Sequence, residues 1–147
     1  MNISKGHSRD LRRGRTSEPG RLYLVTAATA NRQPVFNDFA SARTLVNIFQ
    51  AESRLKQVHT WAFVVMPDHF HWILQLNDEP LSHVIGRVKG LSARRLGRAL
   101  WQDGFHDRAL RKEQDLKAMA RYVVANPIRA GIVDSVGDYP HWDAVWL

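Results

Sequence analysis

The positions of apolar residues along the chain predict a strand followed by a helix in its first part. Residues 22–26 are β-branched and aromatic, as is typical of a strand, and residues 31–34 have the composition of a loop. Asp38 is a suitable helix N-cap because apolar residues follow it at helical spacing. We therefore expect one strand and then one helix that ends near Leu55.

Two strands are predicted next, at 60–66 and 69–76, with only Pro67 and Asp68 between them. Because successive side chains of a strand point to opposite faces, the second strand has two distinct sides. The side expected to face the core carries four large apolar residues, Phe70, Trp72, Leu74 and Leu76. The opposite side carries His69, His71, Ile73 and Gln75.

The second half of the chain predicts a helix, a strand and a final helix. Apolar residues recur at helical spacing over 84–96, and a further strand is expected within 101–110, after a turn at Asp103 and Gly104. The last helix should begin near Lys112. It should end at residue 125 or 126, since the residue before a proline is disfavoured in the α conformation.

This order of elements predicts the fold class. Strand, helix, strand, strand, helix, strand, helix is typical of an α+β sandwich of the ferredoxin-like or RRM-like kind. We expect an antiparallel sheet with helices on one face, the other face free, and a C-terminal helix that carries Tyr122. The chain would then consist of a basic N-terminal arm over 1–20 and one domain over 21–147.

Composition and charge narrow the partners of this domain. The chain has 21 Lys and Arg against 14 Asp and Glu, a formal charge of +7 and a sequence pI of about 10.4. A polyanion such as nucleic acid is therefore the favoured partner, although many small proteins are simply basic. Basic residues crowd the first 21 positions, which fits an arm that contacts nucleic acid through Arg12, Arg13 and Arg15.

Cysteine is absent, so a metal in this protein would have to be held by nitrogen and oxygen ligands. The sequence shows neither the apolar run of a signal peptide nor the roughly 20 apolar residues of a transmembrane helix. These features lead us to expect a cytoplasmic protein without a membrane partner.

The triplet His69-Phe70-His71 is a candidate metal site. Two histidines that are two residues apart on a strand project from the same face, so both imidazoles can reach one divalent cation. Exposed strand histidines also occur without a metal, so the triplet alone leaves both interpretations open.

Tyr122 and Asn126 form a second candidate pair on the last helix. They are four residues apart and so lie on one helical face, while the other side of the helix is apolar. The amide oxygen of Asn126 suits a hard cation such as Mg²⁺ or Mn²⁺. The alternative is that Asn126 only ends the helix before Pro127 and that Tyr122 is a half-buried packing residue.

Two separated motifs resemble one family. The segment MPDHFHWIL at 66–74 and the segment YVVANPIRAGIV at 122–133 are similar to the REP-associated tyrosine transposases, which are domesticated relatives of the single-tyrosine HUH transposases. The resemblance extends to 11–15, 101–107 and 138–140, and so covers most of the chain. After Pro140 the sequence departs from the usual family continuation.

The resemblance implies an enzyme and assigns its residues. His69, His71 and Asn126 would hold Mg²⁺ or Mn²⁺, and Tyr122 would attack a DNA phosphate to form a 5′-phosphotyrosine and release a 3′-hydroxyl. The implied substrate is single-stranded or hairpin DNA formed by extragenic palindromes, which the enzyme would cut and rejoin as a transposase. The working unit is expected to be a monomer or a homodimer, and the monomer is preferred.

Two residues near these motifs keep alternative roles. Lys89, on the preceding helix, is expected to contact DNA, but it could instead accept the tyrosine proton or be a solvated surface lysine. Asp68 either orients an imidazole or only forms the turn before it.

The alternatives to an enzyme are also open. One is a hairpin-binding protein, like a repressor, that does not cut. The other is an RNA-binding domain of the RRM type, which would require exposed aromatic residues on the sheet where the sequence has histidines.

Overall fold

The computed structural model describes residues 20–55, 57–111 and 113–145, without the side chains of Glu113 and Gln114. The basic arm expected over 1–20 lies outside these ranges apart from Gly20, and so do Arg12, Arg13 and Arg15. Their assignment as DNA contacts stays a prediction.

The described part of the chain forms five strands and four α-helices, joined by loops with short 3-10 turns. In chain order they are β1 (Leu22–Ala28), α1 (Phe39–Arg54), β2 (Val58–Met66), β3 (His69–Leu76), α2 (Leu81–Leu96), β4 (His106–Leu110), α3 (Glu113–Val124), α4 (Asn126–Arg129) and β5 (Trp142–Ala144). Within those ranges, no helix combines the length and apolarity that a membrane crossing requires. The predicted order of seven elements is confirmed, and α4 and β5 are added to it.

The five strands form one antiparallel sheet in the order β4-β1-β3-β2-β5. The order of the first four strands is that of a ferredoxin-like sheet, and β5 extends it at the β2 edge. The α+β class is therefore confirmed. This topology places β3 in the centre of the sheet, where hydrogen bonds on both sides fix its residues.

One face of the sheet is covered by α1 and α2. The Asp38 carboxylate accepts the Ser41 backbone N–H at 3.0 Å, which confirms Asp38 as the N-cap of α1. On the buried side of α1, Phe49 packs against Phe70 and Trp72, with ring centroids 5.0 and 4.6 Å away. The four apolar residues predicted for the core side of β3 are all buried.

The opposite face is covered in part by α3, so the expectation of helices on one face only is wrong. Ile73 lies on the histidine side of β3 but is fully buried, and it belongs to a second apolar cluster with Val64 of β2 and with Ala120 and Val123 of α3. The physical reason is that α3 has an apolar side of its own, which needs a partner surface. This packing fixes α3 beside the exposed part of the histidine face.

The strand expected within 101–110 is shorter than predicted. Trp101 makes only an isolated bridge with Thr29, and β4 begins at His106. The turn at 103–104 is present, and Gly104 adopts a φ of 73°, which favours glycine. The turn separates Trp101 from the strand, so Trp101 packs with the core of α1 and α2 instead.

Candidate functional site

The two histidines of the triplet lie at the start of β3, held by strands on both sides. His69 pairs with Ala28 and Met66, and His71 pairs with Thr26 and Val64. Their ring centroids are 4.9 Å apart. The imidazoles therefore stand next to each other on one sheet face, as the spacing predicted.

Each imidazole is oriented through its Nδ1 atom. Asp68 Oδ1 lies 2.7 Å from His69 Nδ1, and Thr26 Oγ1 lies 2.7 Å from His71 Nδ1. Among the described residues, neither Nε2 atom takes part in a hydrogen bond. Metal-binding histidines commonly have one ring nitrogen held by such a partner while the other binds the cation. The donor set of this pair therefore fits a divalent cation bound at the two Nε2 atoms.

The charge states at the site suit this role. Burial, followed by the electrostatic effects of His69 and Arg129, lowers the pKa of His71 to about 4. His71 is therefore neutral at pH 7, which is the state that binds a metal. Burial acts to raise the pKa of Asp68, but hydrogen bonds and charges from Arg32 and His69 outweigh it, and the pKa is lowered. Asp68 is thus a carboxylate beside His69.

Tyr122 projects from α3 toward these imidazoles. Its ring centroid lies 6.4 Å from that of His71, and 46% of the residue is exposed. The buried side of α3 is formed by other residues, namely Leu116, Ala120, Val123 and Val124. Tyr122 is therefore not a core residue, and its phenol is accessible next to the histidine pair.

Arg129, which the sequence analysis did not single out, contacts Tyr122 twice. Its guanidinium carbon lies 3.7 Å from the centroid of the tyrosine ring, and its Nη2 donates to the Tyr122 carbonyl oxygen at 2.6 Å. The two residues are seven apart, or about two helical turns, and only Ala125 separates α3 from α4. The helical spacing could have revealed this contact, but Pro127 indicated a helix end.

Asn126 is the first residue of α4, one turn after Tyr122. α3 ends at Val124, near the predicted end, and Pro127 lies in the first turn of α4, where its missing N–H costs little. The Asn126 amide nitrogen lies 3.5 Å from the Tyr122 carbonyl oxygen. No hydrogen bond joins Asn126 to either imidazole in the described structure, and its role as a ligand stays a prediction.

No group of three or more histidine, cysteine or carboxylate side chains is arranged to hold a metal ion in the part of the chain that the structure describes. A cation bound to the two histidine nitrogens would therefore need oxygen ligands that do not come from carboxylate side chains. The Asn126 amide and a substrate phosphate are both of the hard type that Mg²⁺ and Mn²⁺ prefer.

Lys89 does not lie free on the surface. Its ammonium group donates to the carbonyl oxygens of Gln102 and Gly104, at 2.8 and 2.6 Å. It therefore ties α2 to the turn that precedes β4. Its predicted contact with DNA stays untested.

Comparison with known proteins identifies the family. The family described as "Transposase IS200 like" matches residues 21–126, which contain the sheet, the histidine pair and the tyrosine. The chain therefore belongs to the IS200-like transposase family.

Within this family, the chain is similar to REP-associated tyrosine transposases, as the motifs predicted. It is 32% identical to the one from Escherichia coli over 54% of this chain and 50% of the relative, so it spans half the length of that relative. It is 26% identical to a proposed REP-associated tyrosine transposase from Haemophilus influenzae over 83% of this chain and 78% of the relative.

Two solved structures share the fold. A REP-associated tyrosine transposase bound to a REP hairpin superimposes with a TM-score of 0.75 at 26% identity, over 87% of this chain and 79% of that protein. A transposase proposed for Deinococcus radiodurans superimposes with a TM-score of 0.55 at 24% identity, over 75% of this chain and 93% of that protein.

Proposed function

We propose that this protein is a metal-assisted endonuclease and strand transferase that acts on single-stranded, palindromic hairpin DNA through Tyr122. The observation that carries the proposal is the position of the exposed Tyr122 ring, 6.4 Å from the ring of His71, in a pair of imidazoles whose Nε2 atoms face no protein partner among the described residues. A nucleophile beside a candidate cation site is the arrangement that phosphoryl transfer requires.

The reaction is a transesterification in which Tyr122 is the nucleophile. Its phenolic oxygen attacks the phosphorus of a DNA phosphodiester, one P–O bond forms as the bond to the 3′ oxygen breaks, and the proton lost by the phenol is matched by the one that the 3′-hydroxyl gains. The resulting 5′-phosphotyrosine keeps the phosphodiester energy, so a 3′-hydroxyl can reverse the step and join strands.

His69, His71 and Asn126 would hold Mg²⁺ or Mn²⁺. When bound, the cation stabilises the charge that develops on the phosphate oxygens and on the leaving 3′ oxygen. His71 is suited to this task because its pKa of about 4 keeps it neutral at physiological pH. Arg129 stacks on the Tyr122 ring and restricts its orientation.

The nature of the substrate follows from access and charge. A tyrosine on a helix has to reach a phosphate directly, which is easier on a single strand or at a hairpin foot than within a stacked duplex. The charge of +7 favours DNA, and a similar protein was solved with a REP hairpin bound. We expect the arm residues Arg12, Arg13 and Arg15, together with Lys89, to contact this DNA.

The alternatives fit the structure less well. An RRM-type RNA-binding domain needs a free sheet face with exposed aromatic residues, but α3 covers part of the corresponding face and histidines occupy β3 there. A hairpin-binding protein without activity would not require Tyr122, His69, His71 and Asn126 together. Because one chain contains all four residues, a monomer suffices for cleavage.

The experiment that tests the proposal is a covalent trapping assay. The full-length protein is incubated with a labelled single-stranded hairpin oligonucleotide and Mn²⁺ or Mg²⁺, and the products are separated on a denaturing protein gel. We expect a slowly migrating protein–DNA band that is lost in Tyr122→Phe and after addition of a chelator.

Tyr23→Phe and Tyr139→Phe are matched controls, because both residues are buried and only three tyrosines exist in the chain. Both variants should still form the band. Specific hairpin binding without any covalent band in wild type would contradict the enzyme and favour the repressor-like alternative. A band that persists in Tyr122→Phe would exclude Tyr122 as the nucleophile.

A further inference from the structure

The loop between β1 and α1 contains an unusual backbone conformation. Asn31 and Arg32 have φ values of 56° and 52°, and they are the two residues other than glycine with positive φ in the described ranges. This left-handed region is unfavourable for residues with a Cβ, and it persists only where the surroundings hold it. Such strain is common at functional sites, which makes the loop a candidate for a functional role.

The surroundings that hold this loop are the turn before His69. The Thr29 backbone N–H donates to the Asp68 carbonyl oxygen at 2.9 Å, and the Phe36 N–H donates to the Pro67 carbonyl oxygen at 2.9 Å. The buried Thr29 hydroxyl also lies 3.2 Å from the Asp68 carbonyl oxygen. The loop is therefore fastened at two points to the turn that leads into β3.

The strained conformation places the Arg32 side chain on Asp68. Arg32 Nε donates to Asp68 Oδ2 at 2.9 Å, and the other carboxylate oxygen, Oδ1, lies 2.7 Å from His69 Nδ1. The two oxygens of one carboxylate thus join the guanidinium to the imidazole. Because the Asp68 carboxylate contacts both Arg32 and His69, it restricts the rotation of the His69 ring and so fixes the direction in which Nε2 points.

We propose that Arg32 is a positioning residue that fixes the tautomer and orientation of His69 through Asp68, and so prepares the Nε2 atom to bind a divalent cation. The inference rests on the proposed function in one respect, that His69 is a metal ligand. It adds a residue 37 positions away in the sequence that does not itself contact the cation.

A purely stabilising role explains this arrangement poorly. The Arg32 side chain is 56% exposed, and an ion pair with such a partner contributes little to stability. The backbone of the loop is already held by the hydrogen bonds of Thr29 and Phe36, so the ion pair is not needed to hold it. A partner that orients a metal-binding histidine, by contrast, affects affinity for the metal strongly, commonly by about 10- to 100-fold.

The test variant is Arg32→Gly. Glycine adopts positive φ without strain, so this change removes the guanidinium while it favours the native backbone. Two quantities are measured on the full-length protein without DNA, namely the affinity for Mn²⁺ by electron paramagnetic resonance and the ¹⁵N chemical shifts of the His69 ring without metal. We expect Mn²⁺ to bind about 10- to 100-fold more weakly and the His69 shifts to move toward a mixture of tautomers.

Two control variants separate positioning from loop stability. Arg98→Ala removes another guanidinium bound to this loop, where it donates to the Gln33 side chain, but leaves Asp68 untouched. Asn31→Gly relieves strain and keeps Arg32. Both should retain the wild-type affinity for Mn²⁺ and the wild-type His69 shifts.

A double-mutant cycle tests whether Arg32 acts through Asp68. If it does, Arg32→Gly should weaken Mn²⁺ binding little further in a protein that already carries Asp68→Asn. Additive losses would contradict the proposed connection.

The inference is overturned if Arg32→Gly leaves the His69 shifts unchanged or binds Mn²⁺ as wild type does. Failure of the proposed function has a different signature, namely a wild-type protein that forms no covalent adduct with hairpin DNA and Mn²⁺ in the trapping assay. In that case the His69 shifts still decide whether Arg32 orients the imidazole.

Discussion

Arg129 provides a prediction whose size can be worked out from its two contacts with Tyr122. The guanidinium stacks on the phenol ring at 3.7 Å and donates to the Tyr122 carbonyl oxygen at 2.6 Å. Because Tyr122 is half-exposed and lies near the end of α3, its side chain is not held by the core. Removal of Arg129 should therefore let the phenol leave the orientation in which it faces the histidines.

The magnitude follows from the two interactions. A cation–π contact at an exposed site is worth about 0.5–1 kcal/mol. A hydrogen bond to an exposed carbonyl adds about 1 kcal/mol. If both favour the reactive orientation, their loss raises the barrier by about 2 kcal/mol, which slows the reaction about 30-fold.

The assay is the rate of covalent adduct formation in a single turnover, with Arg129→Ala in excess over labelled hairpin DNA and saturating Mn²⁺. Arg129→Lys, which keeps the charge but loses the planar stacking, should give an intermediate rate. Arg121→Ala is the matched control, since it removes an exposed arginine next to Tyr122 that has no side-chain hydrogen bond in the described structure. Equal rates for Arg129→Ala and wild type, or an equally slow Arg121→Ala, would refute the reasoning.

Three further predictions concern stability and DNA binding. Arg87→Ala should lower the free energy of unfolding by about 3 kcal/mol in urea titrations, because it leaves the Glu52 carboxylate, whose side chain is 6% exposed, without its bidentate partner; an unchanged midpoint would contradict this. The pKa of His71 is lowered to about 4 in the folded protein. As the pH falls below about 6.5, His71 is therefore protonated in the unfolded chain before it is protonated in the folded one, and the free energy of unfolding should fall by about 3 kcal/mol by pH 4. With chelator present, His71→Gln should lose less stability over this range than wild type, and identical pH dependence would exclude His71 as the cause. Alanine at arm positions 12, 13 and 15 should reduce the slope of log K against log salt by about 0.7 to 0.9 per lost phosphate contact, and an unchanged slope would argue against the arm.

Local sequence patterns were sufficient to predict the sheet and the helices that cover its first face, α1 and α2. The alternation of side chains along β3 predicted Phe70 and Trp72 in the core and the two histidines on the other face, and the structure confirms both. The Asp38 cap could also be predicted, because a cap depends only on the residues that follow it.

The packing of α3 on the opposite face of the sheet was not predicted, although the sequence of β2 indicated it. Residues 62–66 of β2 are apolar without alternation, and all five are buried, which is typical of a strand covered on both faces. β5 has only three residues and carries no such pattern, so its pairing with β2 could be known only from the tertiary structure.

In the candidate site, too, the local spacings could be predicted from the sequence, but the contacts between distant segments could not. The spacing of His69 and His71, and of Tyr122 and Asn126, follows from strand and helix periods. Their approach across about fifty residues depends on how α3 packs on the sheet, and the Arg32 link to Asp68 spans 36 residues with no sequence signal. Packing and long-range hydrogen bonds, rather than local propensity, decide these contacts.

The most direct measurement is the position of the DNA on the protein. The three tyrosines fall in separate tryptic peptides, 22–32, 122–129 and 130–147, so mass spectrometry of the digested covalent complex can distinguish them. The account predicts a nucleotide 5′-phosphate on Tyr122 in the peptide 122–129. A nucleotide on Tyr23 or Tyr139, or on a residue other than tyrosine, would contradict it.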